Sequence, residues 1–475
     1  MPIASLPCRT AALLLALTPS LCAHGGTYRG PGSSLGPGGA TSGGPSSTSA
    51  GAPVTDTAAW DIWWTLNRDR WLDVKGVTRR EDLVTGSDDF FLGQGEARTQ
   101  GRGLRLEPDE ATLRERVLPT LRSALARAED VDLITAVLLA LAKIGAGRAA
   151  QAQDELVDLL QGYLGHPNQE IHETAAVALG VLASPSAAPL LADLLHDAPA
   201  ARTRIQERKV DVRTRAFAAY GLGLIGARAG NEAVRRFGVH HLVGALSTSD
   251  LPAETAVACS VALGLLPLKI GAGDSLDHPK PTHSRQGQVQ FLIDRLAGPA
   301  TGELERAQIP VALARLCQGV DEGLRKRACE MSILVLERRS KDSPGTVQGL
   351  IQGLSLLGDN DEDEIDQAVR AALNATLETG DRGARHQALL ALGRVGGRAG
   401  SGRAGNALDS IRELLLDRLR RASVASEKPW AALGLALLER EGRALGQPVP
   451  MLVLETLRRL LESEGGPLDA GAYCL

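Results

Sequence analysis

The sequence predicts an all-α fold, an α/α solenoid of about eight helical-hairpin repeats. Three observations predict it. An apolar kernel ending in Ala-Leu-Gly or a near variant recurs eight times at near-constant spacing. Phe, Trp and Tyr make up only 3% of the 475 residues, so the core has to be built from Leu, Ala and Val, which suits closely packed helices better than a β-sandwich. A hydrophobic fraction of 44% is enough to bury such a core. Net charge −4 gives no global basic footprint, so nucleic acid is not an expected partner.

Residues 1–23 read as a secretory signal, with Arg9 ahead of the apolar run Ala11–Leu17, Pro19 to break it, and Ala23 at the cleavage edge. That run is too short to cross a bilayer, and no transmembrane span is expected elsewhere. Bulky Leu21 before Cys22 argues against lipidation. The chain is therefore expected to be exported, to a periplasmic or extracellular location. Residues 24–55 hold ten Gly, six Ser and four Pro, a flexible tether that cannot bury enough surface to offset its ordering entropy.

Residues 56–109 read as a Trp-rich capping segment. Trp60, Trp63, Trp64, Asn67 and Trp71 recur at helical spacing and share one stripe. Two roles fit this stripe: a cap over the open end of a repeat array, or an exposed surface for a partner.

Residues 110–465 are the repeats, followed by a tail at 466–475. Kernels start at Ala140, Ala178, Gly221, Ala262, Ala314, Gly353, Ala391 and Ala432, in steps of 38, 43, 41, 52, 39, 38 and 41 residues. Each unit holds two helical stretches, for example 152–164 then 170–182, and 406–421 then 427–440. Small kernel residues let neighbouring helices approach, and a Gly near the helix end is expected to supply a left-handed C-cap. Asn231 and Asn406 are expected to cap the following helices.

These units resemble HEAT repeats of the kind with an Ala-Leu-Gly kernel closing the second helix. The family often places Arg six residues before the kernel Ala; Arg385 stands there for Ala391, Arg213 does so for Ala219 when that repeat is read two residues earlier, and His172 and Ser426 occupy the position elsewhere, so the match is partial. The resemblance covers about three quarters of the chain. It implies a right-handed solenoid with first helices on the convex side and second helices on the concave side. His24-Gly-Gly-Thr-Tyr-Arg-Gly-Pro-Gly32 with the Trp segment also resembles a group of secreted bacterial HEAT-repeat proteins of unassigned function.

Chemistry is sparse in the sequence. His172-Glu173 lacks the second His of a zinc helix, and no Walker loop or nucleophile elbow stands at a strand-to-helix turn. Asp359–Asp366 spaces its carboxylates like a calcium loop but has Glu364 and Arg370 where Gly and Glu are needed. Adjacent His240 and His241 point about 100° apart on a helix, a poor start for one metal. Four cysteines remain after the signal, and Cys317 with Cys329 is the nearest pair for a disulfide. No catalytic residue, cofactor or metal is expected.

Arg148, Arg228, Arg398 and Arg403 follow kernels in equivalent loops, which places them along one edge of the array. They form either a basic ridge for an acidic partner or an anionic envelope polymer, or solubilising surface charge that complements helix dipoles. The leading expectation is a non-catalytic exported scaffold that binds a protein partner, with Trp60, Trp63, Trp64, Trp71 and the four loop arginines as candidate contacts. Two alternatives stay open: an enzyme or enzyme accessory related to lyases built on such repeats, and a self-associating envelope protein.

Overall fold

Residues 110–271, 280–319, 322–338, 343–421, 427–444 and 446–463 are described by the computed structural model. Every element among them is helical. Eight hairpins follow in order: α1 (Leu118–Arg127) with α2 (Val131–Gly145), then α3 (Ala150–Gln161) with α4 (Gln169–Leu182). The third joins α5 (Ala188–Leu195) and α6 (Pro199–Ile205) to α7 (Val212–Arg228), and the fourth pairs α8 (Glu232–Leu246) with α9 (Ala253–Leu263). Next come α10 (Arg285–Ala297) with α11 (Glu303–Leu316), and α12 (Glu322–Glu337) with α13 (Pro344–Leu357). The last two are α14 (Glu364–Thr379) with α15 (Arg382–Gly397), and α16 (Ala407–Arg421) with α17 (Lys428–Ala444). A further first-type helix, α18 (Met451–Ser463), closes the described chain.

All eight kernels lie on second helices, and successive second helices stack into one continuous inner layer. The kernel leucines, Leu141, Leu179, Leu222, Leu263, Leu354, Leu392 and Leu433, are at most 1% exposed. Repeat five carries Arg315 in that place and buries Leu316 instead. Expulsion of these leucines from water is the main force holding each hairpin to the next.

Helix starts follow local capping chemistry. Asp130 Oδ1 accepts the Leu133 N–H at 2.8 Å, Asn168 Oδ1 accepts from Glu170 N at 2.9 Å, and Asn231 Oδ1 accepts from Ala233 N at 2.8 Å. The Asn231 cap is the one expected from sequence. At Asn406 the backbone carbonyl accepts from Ser410 N at 3.0 Å.

Glycine differs from expectation. Left-handed φ occurs at Gly147, Gly319 and Gly446 in turns, but the cap of α4 is the left-handed Ala183. Most kernel glycines lie inside helices, where their use is close approach. A Cβ on Gly180 would run into the backbone of Gly221, and one on Gly393 into the backbone of Gly434. Backbone-to-backbone contact, rather than the cap, is what demands glycine there.

The third repeat also departs from the pattern. Its first stretch breaks at Asp197, where φ is 52°. Asp197 accepts from Arg202 at 2.8 and 2.9 Å and from the Val210 N–H at 2.7 Å, which holds the corner. The Arg202 guanidinium keeps this carboxyl below its usual range. Cys259, Cys317 and Cys329 are buried thiols, and the expected candidate pair Cys317 and Cys329 is not bridged.

Candidate functional site

Each second helix is flanked by its neighbours and backed by its own first helix, so a single stripe is left facing away from the first-helix layer. One residue before the kernel this stripe carries Val177, Tyr220 and Gln352, and four residues before it Thr174, Phe217 and Gln387, all half-buried. Val257, Gln308 and Gln348 extend it along α9, α11 and α13. Its character changes along the array. Repeats two to four present mainly apolar and aromatic side chains beside Thr174, and repeats five to seven present the carboxamides Gln308, Gln348, Gln352 and Gln387, which both donate and accept. Gln348 reaches across to α15, since a Cβ at Gly383 would stand 3.2 Å from its Nε2. Spacing alone does not reveal which arc stays open after packing on three sides, so the stripe went unmarked in the sequence.

Two of the four loop arginines are placed as helix caps. Arg228, at the end of α7, donates Nη1 to the carbonyl of Val181 at the end of α4, at 2.7 Å. Arg398 donates to the carbonyls of Leu356 and Gly358 at the end of α13, both at 2.9 Å. Arg148 pairs with Glu110 and is only 12% exposed. Arg403 is exposed and donates Nη2 to the Glu362 carbonyl at 3.1 Å. Arg295 shows the same logic in the outer layer, reaching back from α10 to the Leu246 carbonyl of α8 at 2.9 Å. A guanidinium here satisfies carbonyls orphaned at a helix C-terminus and complements its dipole. Replacing Arg398 with Met is expected to cost about 1.5–3 kcal/mol, the worth of charged hydrogen bonds. Denaturant unfolding of the variant checks this.

A second ladder ties the N-terminal ends of the second helices. Arg213 on α7 pairs with buried Glu173 on α4 at 2.8 Å. Arg385 on α15 pairs with buried Glu427 at 3.0 Å. Thr255 donates to the Val212 carbonyl, and Thr346 to the Glu303 carbonyl, each at 3.4 Å. Ser260 donates to Glu305 at 2.8 Å, and Glu305 is also gripped by Arg295 at 2.6 and 2.7 Å. Burial pushes the Glu173 carboxyl up, while Gln169 and Arg213 pull it back down.

Residues 118–209 match the family model for HEAT repeats. Those residues are HEAT repeats, and the hairpins that follow them continue as a HEAT-like helical solenoid. No curated protein matches it in sequence. One similar solved structure is described as an engineered protein, 19% identical, covering 77% of this chain and 89% of that one, with a TM-score of 0.35. The all-helical fold thus stands on the helices described above and on the family match.

The acidic stretch of the seventh repeat is used for loop packing. Asp361 accepts from the Gly402 N–H, Asp363 from Arg403 N at 3.4 Å, and Glu362 N donates to the Arg403 carbonyl at 2.7 Å. Beneath it, Arg325 grips Asp366 at 2.7 and 2.8 Å and also reaches Asp359 and the Leu357 carbonyl. Burial, with the nearby Asp366 charge added, pushes Asp359 up to about 6, against the pull of the Asp361 N–H and Arg325. Among the described residues no group of three or more His, Cys, Asp or Glu could hold a metal ion.

His241 of the fourth repeat meets His196 of the third, with Nδ1 and Nε2 3.1 Å apart, and Phe237 packs on the His241 ring. His240 stands edge-on to the same ring, while the hydrogen bond of His241 goes to a residue one repeat back. A bond between two imidazoles needs at least one neutral ring. Desolvation first, then Arg215 and His240 at His196, and His196 and His240 at His241, lower both rings below 6.5, while Asp193 opposes. Folded values below the unfolded one mean stability is present above about pH 6.5 and lost as pH falls through the folded values. Ring-proton NMR titration is expected to give midpoints below 6.5 for both. In His241→Asn the loss of third- and fourth-repeat stability on acidification is expected to shrink.

Trp60, Trp63, Trp64 and Trp71, and the expected signal, tether, capping segment and tail, lie outside the described residues. No helix of the described residues is long and apolar enough to cross a membrane.

Proposed function

We infer that this chain is a non-catalytic, exported scaffold that binds a protein partner along the inner stripe of its second helices. HEAT repeats are generally protein-interaction scaffolds. The observation that carries the reading is the stripe itself: Val177, Phe217, Tyr220 and Val257 give apolar area, and Gln308, Gln348, Gln352 and Gln387 give directional bonds beside it. The non-catalytic part is supported by the buried carboxylates. Glu173, Glu305, Asp366, Glu427 and Glu439 are each paired with an arginine across a helix contact, which is structural use. Arg403 is the loop arginine that fits best as an added contact on the edge.

Crosslinked affinity purification of the tagged chain from its own cells tests this. A partner is expected with the native chain and with Arg403→Ser, and its loss is expected with Tyr220→Lys/Gln352→Lys at unchanged helicity. Retention in the stripe variant with loss in Arg403→Ser moves the contact to the loop edge. No partner in any form overturns the scaffold reading, and turnover abolished by one polar substitution overturns its non-catalytic part. Fractionation is expected to find the chain outside the cytosol with residues 1–23 removed; an uncleaved cytosolic chain refutes export.

A second reading has its own observation. Met451, Leu452 and Leu454 are 68%, 53% and 43% exposed on α18, the last described helix. Self-association through that helix predicts a mass that rises with concentration and stays monomeric in Leu452→Lys/Leu454→Lys.

A further inference from the structure

We propose that the Trp60–Trp71 segment docks as a helix on the open face of α2 in the same molecule and closes the N-terminal end of the inner layer. The inference starts from how second helices mate. Gly221 of α7 meets Gly180 of α4, Gly223 of α7 meets Ala262 of α9, and Gly353 of α13 meets Pro310 of α11. In each case the later helix offers its kernel residue to the helix before it. Those kernel residues are accordingly buried; Ala178, Ala262, Ala391 and Ala432 are at most 2% exposed.

On α2 the same mating surface has no described occupant. Kernel residue Ala140 is only half-buried, Ala136 is exposed, and Leu133 is 45% exposed. Leu139 and Ile144 flank them, half-buried. At 100° per residue this arc lies opposite Leu138, Leu141 and Ala142, which are buried in the core beside α4. Thus α2 carries the contact face of an interior repeat, yet no described helix precedes it on that side.

Three features of the chain single out the Trp segment. The first is length. Trp60 to Trp71 spans twelve residues, as does Leu133 to Ile144, and each stripe is about 17 Å long as a helix. The second is size. Ala136 and Ala140 form a shallow floor between Leu133 and Ile144, and four indoles on one stripe are the bulky complement to it. The third is reach. The 38 residues of 72–109 join Trp71 to Glu110, which is tied to Arg148 just past the C-terminal end of α2. Such a linker spans up to about 130 Å, so it returns the segment to either end of α2 without strain.

Tryptophan emission of the full chain tests the docking. Four of its five tryptophans lie in the segment, and Trp430 is a constant buried background at 2% exposure. The native chain is expected to show short-wavelength emission and weak acrylamide quenching. Ala136→Arg and, separately, Leu133→Lys are expected to shift emission to the red and raise quenching. Leu454→Arg, at the far end, is expected to leave both unchanged. Helicity by circular dichroism guards against a variant that fails to fold. Solvent-exposed emission in the native chain, or no response to Ala136→Arg, overturns the proposal. So does a blue emission that vanishes on dilution as the mass halves, which assigns the face to a second copy. Partner capture is a separate measurement, so either result leaves the scaffold reading to its own test.

Discussion

Gly180→Val is expected to cost about 3 kcal/mol or more, beyond the usual range for overpacking, because the obstacle is backbone. The α4 and α7 axes approach so closely at Gly180 and Gly221 that a single added Cβ overlaps the Gly221 main chain. A side chain can change rotamer to make room, but a hydrogen-bonded helix backbone moves only as a unit. The second and third repeats would have to separate and open the leucine layer between them. Gly230→Ala is the control: its Cβ meets nothing within 4 Å, so an effect within about 0.5 kcal/mol is expected. Hydrogen exchange over α4 and α7 locates the loss, since a repeat array unfolds in pieces. Equal protection in Gly180→Val and the parent would refute the close-approach account.

Asp366→Ala is expected to cost about 3–5 kcal/mol, the penalty for breaking a buried pair and leaving its partner charged. The Asp366 side chain is fully buried and holds Arg325 by two bonds while accepting the Asp359 N–H at 3.0 Å. Without it, Arg325 remains 14% exposed beside Asp359, which burial already pushes toward its neutral form. The double variant Arg325→Met/Asp366→Leu is expected to recover much of the loss, because an apolar pair of similar volume needs no compensation. Chemical unfolding of the two singles and the double gives the coupling. Additive losses would show that the pair is not a unit.

The array was legible because its signal is local and repeated. The kernel leucines are apolar at a fixed phase, and every kernel fell on a second helix. Arg213 and Arg385 were also marked by position, although their partners Glu173 and Glu427 were not. What sequence could not supply is what lies across a repeat. Arg228 reads locally as a loop cation, but the carbonyl it serves is 47 residues earlier. His241 meets its neighbour His240 edge-on, but its hydrogen-bond partner is a ring 45 residues away. The inner stripe was hidden for a related reason. Tyr220 and Gln352 look like ordinary helix residues until three sides of each helix are known to be covered.

The backward-reaching arginines give the chain a direction in time. Arg228, Arg295 and Arg398 satisfy carbonyls of the preceding repeat, 42 to 49 residues nearer the N-terminus. During synthesis a helix end such as Val181 therefore stays unsealed until the following repeat has left the ribosome. Shortening the chain has unequal effects for the same reason. Removal of a C-terminal repeat uncaps the repeat left behind, whereas removal of an N-terminal repeat frees an arginine but leaves the remaining helix ends sealed.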